Sequence, residues 1–121
     1  MTKRHREIIE RLAKGETIEN YKEGGNSMVP IIHSKEPVTI APVDSSKLEK
    51  GDAVFCKVHG RMYMHLVTAL KEDEVQIGNN HGHINGWTKR ENVYGIVISV
   101  DGKPRGGAEK KVRKLDVDSE K

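Results

Sequence analysis

The stretch best suited to chemistry is Gly24-Gly25-Asn26-Ser27-Met28-Val29-Pro30. Glycines ahead of a serine allow a tight backbone and the close approach of a second chain. A serine so placed can offer its hydroxyl and its own N–H to one small volume, which is what an oxyanion site requires. Pro30 removes a donor and keeps the segment out of a β ladder. The same residues also make an ordinary turn, so on spacing alone Ser27 is either a nucleophile or a turn serine. Histidine, the side chain that titrates nearest neutral pH, stands at positions 5, 33, 59, 65, 81 and 83. His81-Gly82-His83 could chelate a metal with help from His65 or His59. No second cluster of Cys, Asp or Glu at ligand spacing accompanies it, so neither a metal nor another cofactor is expected.

These side chains need a scaffold. Residues 2–14 have the marks of a short amphipathic helix: Thr2 can cap it, Ile8, Ile9, Leu12 and Ala13 recur at helical spacing, and Gly15 ends it. Such a helix either packs its stripe on the domain or swings free. It is too short to be a helix-turn-helix reader. From Val38 the pattern becomes β. Val38-Thr39-Ile40 is a strand closed by Pro42, and 53–58 is a second strand ending in the turn His59-Gly60-Arg61. Met62 to Leu70 alternates Met62, Met64, Leu66 and Thr68 against Tyr63, His65, Val67 and Ala69. After a turn at Glu72-Asp73, 74–77 forms a brief strand, and Val93 to Val100 is the last, with Tyr94, Ile96, Ile98 and Val100 on one face. Residues 78–87 are rich in turn formers and read as a loop, either a connection anchored by Trp87 or a segment that faces the substrate or supports the reactive side chains. Tyr63 and Tyr94 read as packing residues. Short, closely spaced strands point to an all-β barrel or sandwich.

Composition narrows the class. A chain of 121 residues is one domain. A charged fraction of 32% against 35% hydrophobic implies a modest core. The net charge of +3 is too small to mark a nucleic-acid binder without a concentrated basic face. The lone Cys56 allows no internal disulfide and sits in an apolar run, so a buried, inert thiol in a reducing compartment is expected. No apolar stretch nears the roughly 20 residues that span a bilayer, and no secretory leader is evident. The expectation is a cytoplasmic, unanchored protein. The organisation expected is an N-terminal helix and lead-in over 1–20, a β domain over 21–101, and a basic, disordered tail over 102–121 carrying Lys103, Arg105, Lys110, Lys111, Arg113 and Lys114.

Gly25-Asn26-Ser27-Met28-Val29-Pro30 resembles the Gly-x-Ser-Met-x-Pro box of signal peptidase I and of the self-cleaving domains of SOS-type repressors. Further similarities follow in order: Val38-Thr39-Ile40-Ala41-Pro42, the strand after the nucleophile; Leu48-Glu49-Lys50-Gly51-Asp52-Ala53-Val54, like Leu-x-x-Gly-Asp-x-Val; Met64-His65-Leu66-Val67, where the family carries its base; Gly78-Asn79-Asn80, like a Gly-Asp-Asn box; and Tyr94-Gly95-Ile96-Val97, the closing strand. The resemblance implies a mostly β, signal-peptidase/LexA-like coiled barrel with a short N-terminal helix. It implies Ser27 as nucleophile and, because the base position holds His65 rather than lysine, the histidine branch of the family. Asn26, Met28, Asn79 and Asn85 are then the oxyanion and supporting residues. The chain departs from that branch at Leu66, where arginine is usual, and at Asn79 and near Asn85, where aspartates are usual. Asparagine can hold a histidine tautomer but cannot offset an imidazolium charge.

The resulting expectation is a soluble serine endopeptidase with a Ser27–His65 dyad, acting on a peptide or protein with small side chains near the cut. A processing protease of phage type fits better than a housekeeping signal peptidase. Repressor-like self-cleavage is disfavoured, since neither Ala-Gly nor Cys-Gly occurs in the chain. The alternatives are an inactive peptide- or protein-binding module of the same fold, favoured by the missing acid, and a nucleic-acid accessory protein acting through the basic tail. Oligomeric state is left open.

Overall fold

The computed structural model describes residues 2–114. It is mostly antiparallel β sheet with one short helix, α1 (Lys3–Ala13). The strands are β1 (Ile18–Tyr21), β2 (Val38–Pro42), β3 (Ala53–Val58), β4 (Arg61–Leu70), β5 (Glu74–Gly78), β6 (Ile84–Lys89), β7 (Val93–Val100) and β8 (Lys103–Pro104). Their order in the sheet is β1-β2-β7-β3-β4-β5-β6, with β8 on β7. Among the described residues no helix is long and apolar enough to cross a membrane.

Thr2 caps α1 by accepting a hydrogen bond from the His5 N–H, as its position before the helix requires. Ile8 and Leu12 are buried, so the stripe packs on the domain. Ala13 is exposed, and its place on the inner face is taken by half-buried His5, whose ring lies 6.0 Å from that of Phe55.

Two apolar clusters lie on opposite faces of the sheet. Ala53 and Phe55 of β3 join Leu12, Ile40, Met64 and Val97 in one. Val54, Cys56 and Val58 join Val67, Ile77 and Ile96 in the other. A strand buried on both faces reads as a continuous apolar run, which explains Ala53-Val54-Phe55-Cys56 at the centre of the sheet. The single face expected for β7 is divided. Its pairing register shifts against β2 between Thr39 and Ile40 and against β3 between Phe55 and Cys56. Extra residues in a strand reverse the side-chain alternation. Tyr94 and Val100 therefore pack on the first cluster, while Ile96 and Ile98 face the second.

Two further expectations are corrected. The segment 78–87 is not all loop: residues 84–89 form β6, which pairs with β5. The sheet coils so that β6 returns to β3, where the Thr88 hydroxyl donates to the Lys57 carbonyl at 2.8 Å. Asn85, Gly86 and Lys89 hide this strand from propensity, and pairing and burial override that intrinsic preference. Nor are residues 102–114 disordered. Val112 bridges Val43, Ala108 is buried, and Lys111 reaches Asp52 and Glu49 at 2.8 and 2.7 Å. The Arg113 guanidinium donates to the carbonyls of Leu12 and Ala13 at the end of α1. Basic residues with specific acceptors order a segment that composition alone marks as tail. The rest of that expectation, residues 115–121, lies outside the described residues.

Candidate active site

Ser27 and His65, 38 positions apart in sequence, meet with Oγ 3.1 Å from Nε2. Each is held by a different part of the fold. His65 stands on β4 opposite Val54 of β3. The next residue, Leu66, still faces Ala53 of β3 and is the first of β4 to pair with β5 as well. Ser27 lies on the loop between β1 and β2. Gly25, two residues before it, has φ +102°, a conformation that costs glycine little and side-chain-bearing residues more.

The loop after β5 fastens the serine loop from outside. The Asn80 N–H donates to the Ser27 carbonyl at 2.9 Å, and the Asn80 side-chain amide donates to the Val29 carbonyl at 3.0 Å. His81 Nε2 donates to the Asn26 carbonyl at 2.9 Å. The fastening loop is folded by Asn79, whose Oδ1 accepts from the N–H groups of His81 and His83 at 2.8 and 3.0 Å. Its closure needs Gly78, where a Cβ would fall 2.7 Å from the His83 carbonyl oxygen.

The far nitrogen of the His65 ring, Nδ1, lies 2.7 Å from Asn85 Oδ1. A side-chain amide oxygen only accepts, so Nδ1 carries the proton. Nε2 is then the lone-pair nitrogen, and it faces the Ser27 hydroxyl. Burial, the largest influence, disfavours the charged imidazolium and holds the His65 pKa below its ordinary 6.5. The Asn85 hydrogen bond opposes that, His83 adds to it, and the Glu23 carboxylate opposes it. At neutral pH the ring is in the form that can take a proton. Half-buried Tyr63 lies beside it, with ring centroids 5.0 Å apart.

The residues expected to support the dyad take different places. Asn85 is on the ring. Asn79 does not touch the dyad and shapes the fastening loop. Met28 is buried and forms one wall of a recess beside Ser27, together with Glu23, Ile32, His33 and Met64. Asn26 contributes its carbonyl, not its side chain. Among the described residues no acceptor pairs with the Ser27 N–H. Asn80 and Glu23 were not singled out from sequence. Asn80 had a signal, since it stands in the same box as Asn79, whereas nothing in its spacing marks Glu23.

The other reactive groups are occupied. Cys56 is fully buried and burial pushes its thiol up to about 12. Asp52 is bound into the sheet, accepting from the Glu49 N–H at 2.8 Å and from Lys111. Among the described residues no three His, Cys, Asp or Glu side chains lie together as a metal site. No family model, curated protein or solved structure matches this chain.

Proposed function

We propose that the chain is a serine endopeptidase of the signal-peptidase and SOS-repressor kind, working through Ser27, His65 and Asn85. The observation that carries this reading is the pair of contacts on one imidazole: Ser27 Oγ 3.1 Å from Nε2 and Asn85 Oδ1 2.7 Å from Nδ1. These are the contacts that a nucleophile, a base and an orienting group would make in acyl transfer.

In the first half-reaction Nε2 takes the hydroxyl proton as Ser27 Oγ bonds to the scissile carbonyl carbon. The carbonyl oxygen gains the negative charge and accepts from the Ser27 N–H. Collapse breaks the C–N bond, and the imidazolium returns its proton to the leaving amine. Water then repeats the sequence on the ester, losing a proton to Nε2, which passes it to the departing Ser27 oxygen. The substrate strand has a place to lie. On its β5 side, β4 has no strand partner over 61–65 among the described residues, and an extended peptide can pair with that edge.

The test is labelling with a fluorophosphonate probe. Wild-type protein should be labelled, and Ser27→Ala should not. Absence of labelling in the wild type at pH 7 to 8 would overturn the reading. It would favour the second one, an inactive module that grips peptide on the same edge. The specific observation behind that alternative is the uncharged amide where an acid is usual.

A nucleic-acid role through the tail has less support. Arg105, Lys111 and Arg113 are each engaged with the domain itself, through Gly51, Asp52 and the end of α1.

A further inference from the structure

Asn85 reaches His65 because β6 is irregular where it passes the site. Pairing of β5 with β6 is one-to-one from Glu74 with Lys89 to Ile77 with Gly86, and then jumps to Gly78 with Ile84. Asn85 is the residue left over, so β6 carries a one-residue bulge. The consequence is a change of face. In a regular strand Asn85 would stand opposite Gly78 and point with Leu66, the β4 partner of Gly78, to the side of the sheet away from His65. The bulge sets Asn85 and Gly86 together on the side of Ile77, Val67 and His65, and it turns Ile84 outward, where it is exposed. Gly86 makes this possible. Its φ of +138° is one that residues with a Cβ rarely adopt. A Cβ there would fall 2.8 Å from Nε2 of His59 and 3.4 Å from Cγ1 of Val58. The His59 ring, on the turn between β3 and β4, therefore fills the space that a side chain at 86 would need. The bulge is held between β5, which pairs with its strand, and the β3–β4 turn, which packs on it.

We propose that Gly86 and His59 are positioning residues: by holding this bulge they aim the Asn85 amide at His65 and so set which ring nitrogen carries the proton. The inference rests on the peptidase reading for its kinetic consequence, and on geometry alone for the tautomer. A merely structural pair would affect stability and leave the ring unaltered. A positioning pair alters the ring in a protein that stays folded. When the bulge shifts, Asn85 Oδ1 withdraws from Nδ1, and the form with its proton on Nε2 gains population. That form offers the Ser27 hydroxyl no lone pair, so it cannot take the proton.

The experiment has two arms, both on the full chain. The first reads the His65 ring by nitrogen NMR, at a pH where the ring is neutral, in wild type, Gly86→Ala and His59→Asn. His59→Asn removes the ring and keeps the turn, since asparagine tolerates the φ of +50° found there. Wild type should carry the proton on Nδ1. Gly86→Ala, and less completely His59→Asn, should move population to the Nε2 form while the backbone amide signals of β3 and β7 stay in place. Movement in a folded variant supports the proposal, and a ring unmoved in every folded variant overturns it. His59→Asn keeps this arm decisive where Gly86→Ala does not fold. The second arm is kinetic. Gly86→Ala should lower kcat/KM about tenfold to a hundredfold, through kcat rather than KM, as a misplaced reacting group does. In the Asn85→Ala background the same substitution should add almost nothing, because its effect passes through Asn85. Losses that multiply in the double variant overturn the proposal and leave the peptidase reading standing. Absence of turnover in wild type sinks the peptidase reading instead, and the ring tautomers then decide the positioning role by themselves.

Discussion

Asn85 Oδ1 lies 2.7 Å from Nδ1 of His65, in the place where an acid would both orient the ring and stabilise its charge. The amide performs the first task and not the second. Asn85→Asp should therefore raise kcat/KM about tenfold or more, and Asn85→Ala should lower it. The new carboxylate also favours imidazolium, so the acid limb of the pH profile moves to higher pH in Asn85→Asp. A pH–rate profile of the three proteins checks both effects, and an unchanged or slower Asp variant with unmoved limb would contradict the assigned role.

The wild-type profile itself has a direction. His65 must be neutral to act, and burial holds its pKa below 6.5. Activity should persist as pH falls through 6.5 and decline only at lower pH. The same shift has a stability consequence. The folded-state pKa lies below the unfolded one, so the contribution is present above the unfolded value and is lost as pH falls through the folded one. The ring nitrogen chemical shifts of His65 followed by NMR would give this titration directly.

Asn80 acts at one remove, on the backbone that carries Ser27. Asn80→Ala removes the bond to the Val29 carbonyl but leaves the backbone bond to Ser27. The expected stability loss is about 1 kcal/mol, the worth of one part-buried hydrogen bond. The kinetic effect should fall on kcat more than on KM, because the serine is displaced while the β4 edge and the recess remain. Denaturant melts and steady-state kinetics on one sample separate the two. Asn80→Asp sets an acceptor against the Val29 carbonyl in place of the donor, and so should lose more stability than the alanine variant.

Lys111 sits between Asp52 and Glu49, with its side chain 13% exposed and that of Asp52 12% exposed. Lys111→Ala leaves Asp52 part-buried without its cation, which should cost about 1–2 kcal/mol. Glu49 is 74% exposed, so its ion pair is largely screened and Glu49→Ala should cost far less than Lys111→Ala. A reversed order in urea denaturation would show that the cluster works otherwise.

The strands of the centre were legible in sequence because their physics is local. β3 and β4 carry enough apolar residues to show burial on one face or two, and the turn at His59-Gly60 separates them. The helix was legible through Thr2 and the Ile8–Leu12 spacing. What was not legible depends on distant partners. β6 has no apolar alternation of its own and exists because β5 and β3 are there to receive it. The order of residues 102–114 depends on Asp52, Val43 and the carbonyls ending α1, none of which is a neighbour in sequence. For the site, Ser27 stood out through its glycines and through a resemblance, and His65 through the resemblance alone. Asn85, the third partner, was named as the place where an acid was missing. The role of Asn80 depends on two carbonyls 51 and 53 positions away, which no local pattern encodes.

Arg113 binds the carbonyls that finish a helix made of residues 3–13. The Glu10, Arg11 and Leu12 carbonyls are already met by the N–H groups of Lys14, Gly15 and Glu16, so Arg113 adds a partner for the Ala13 carbonyl and a further one for that of Leu12. That addition ties the first element of the fold to a residue 100 positions further along the chain, so this last fastening forms only once both ends of the described chain are in place.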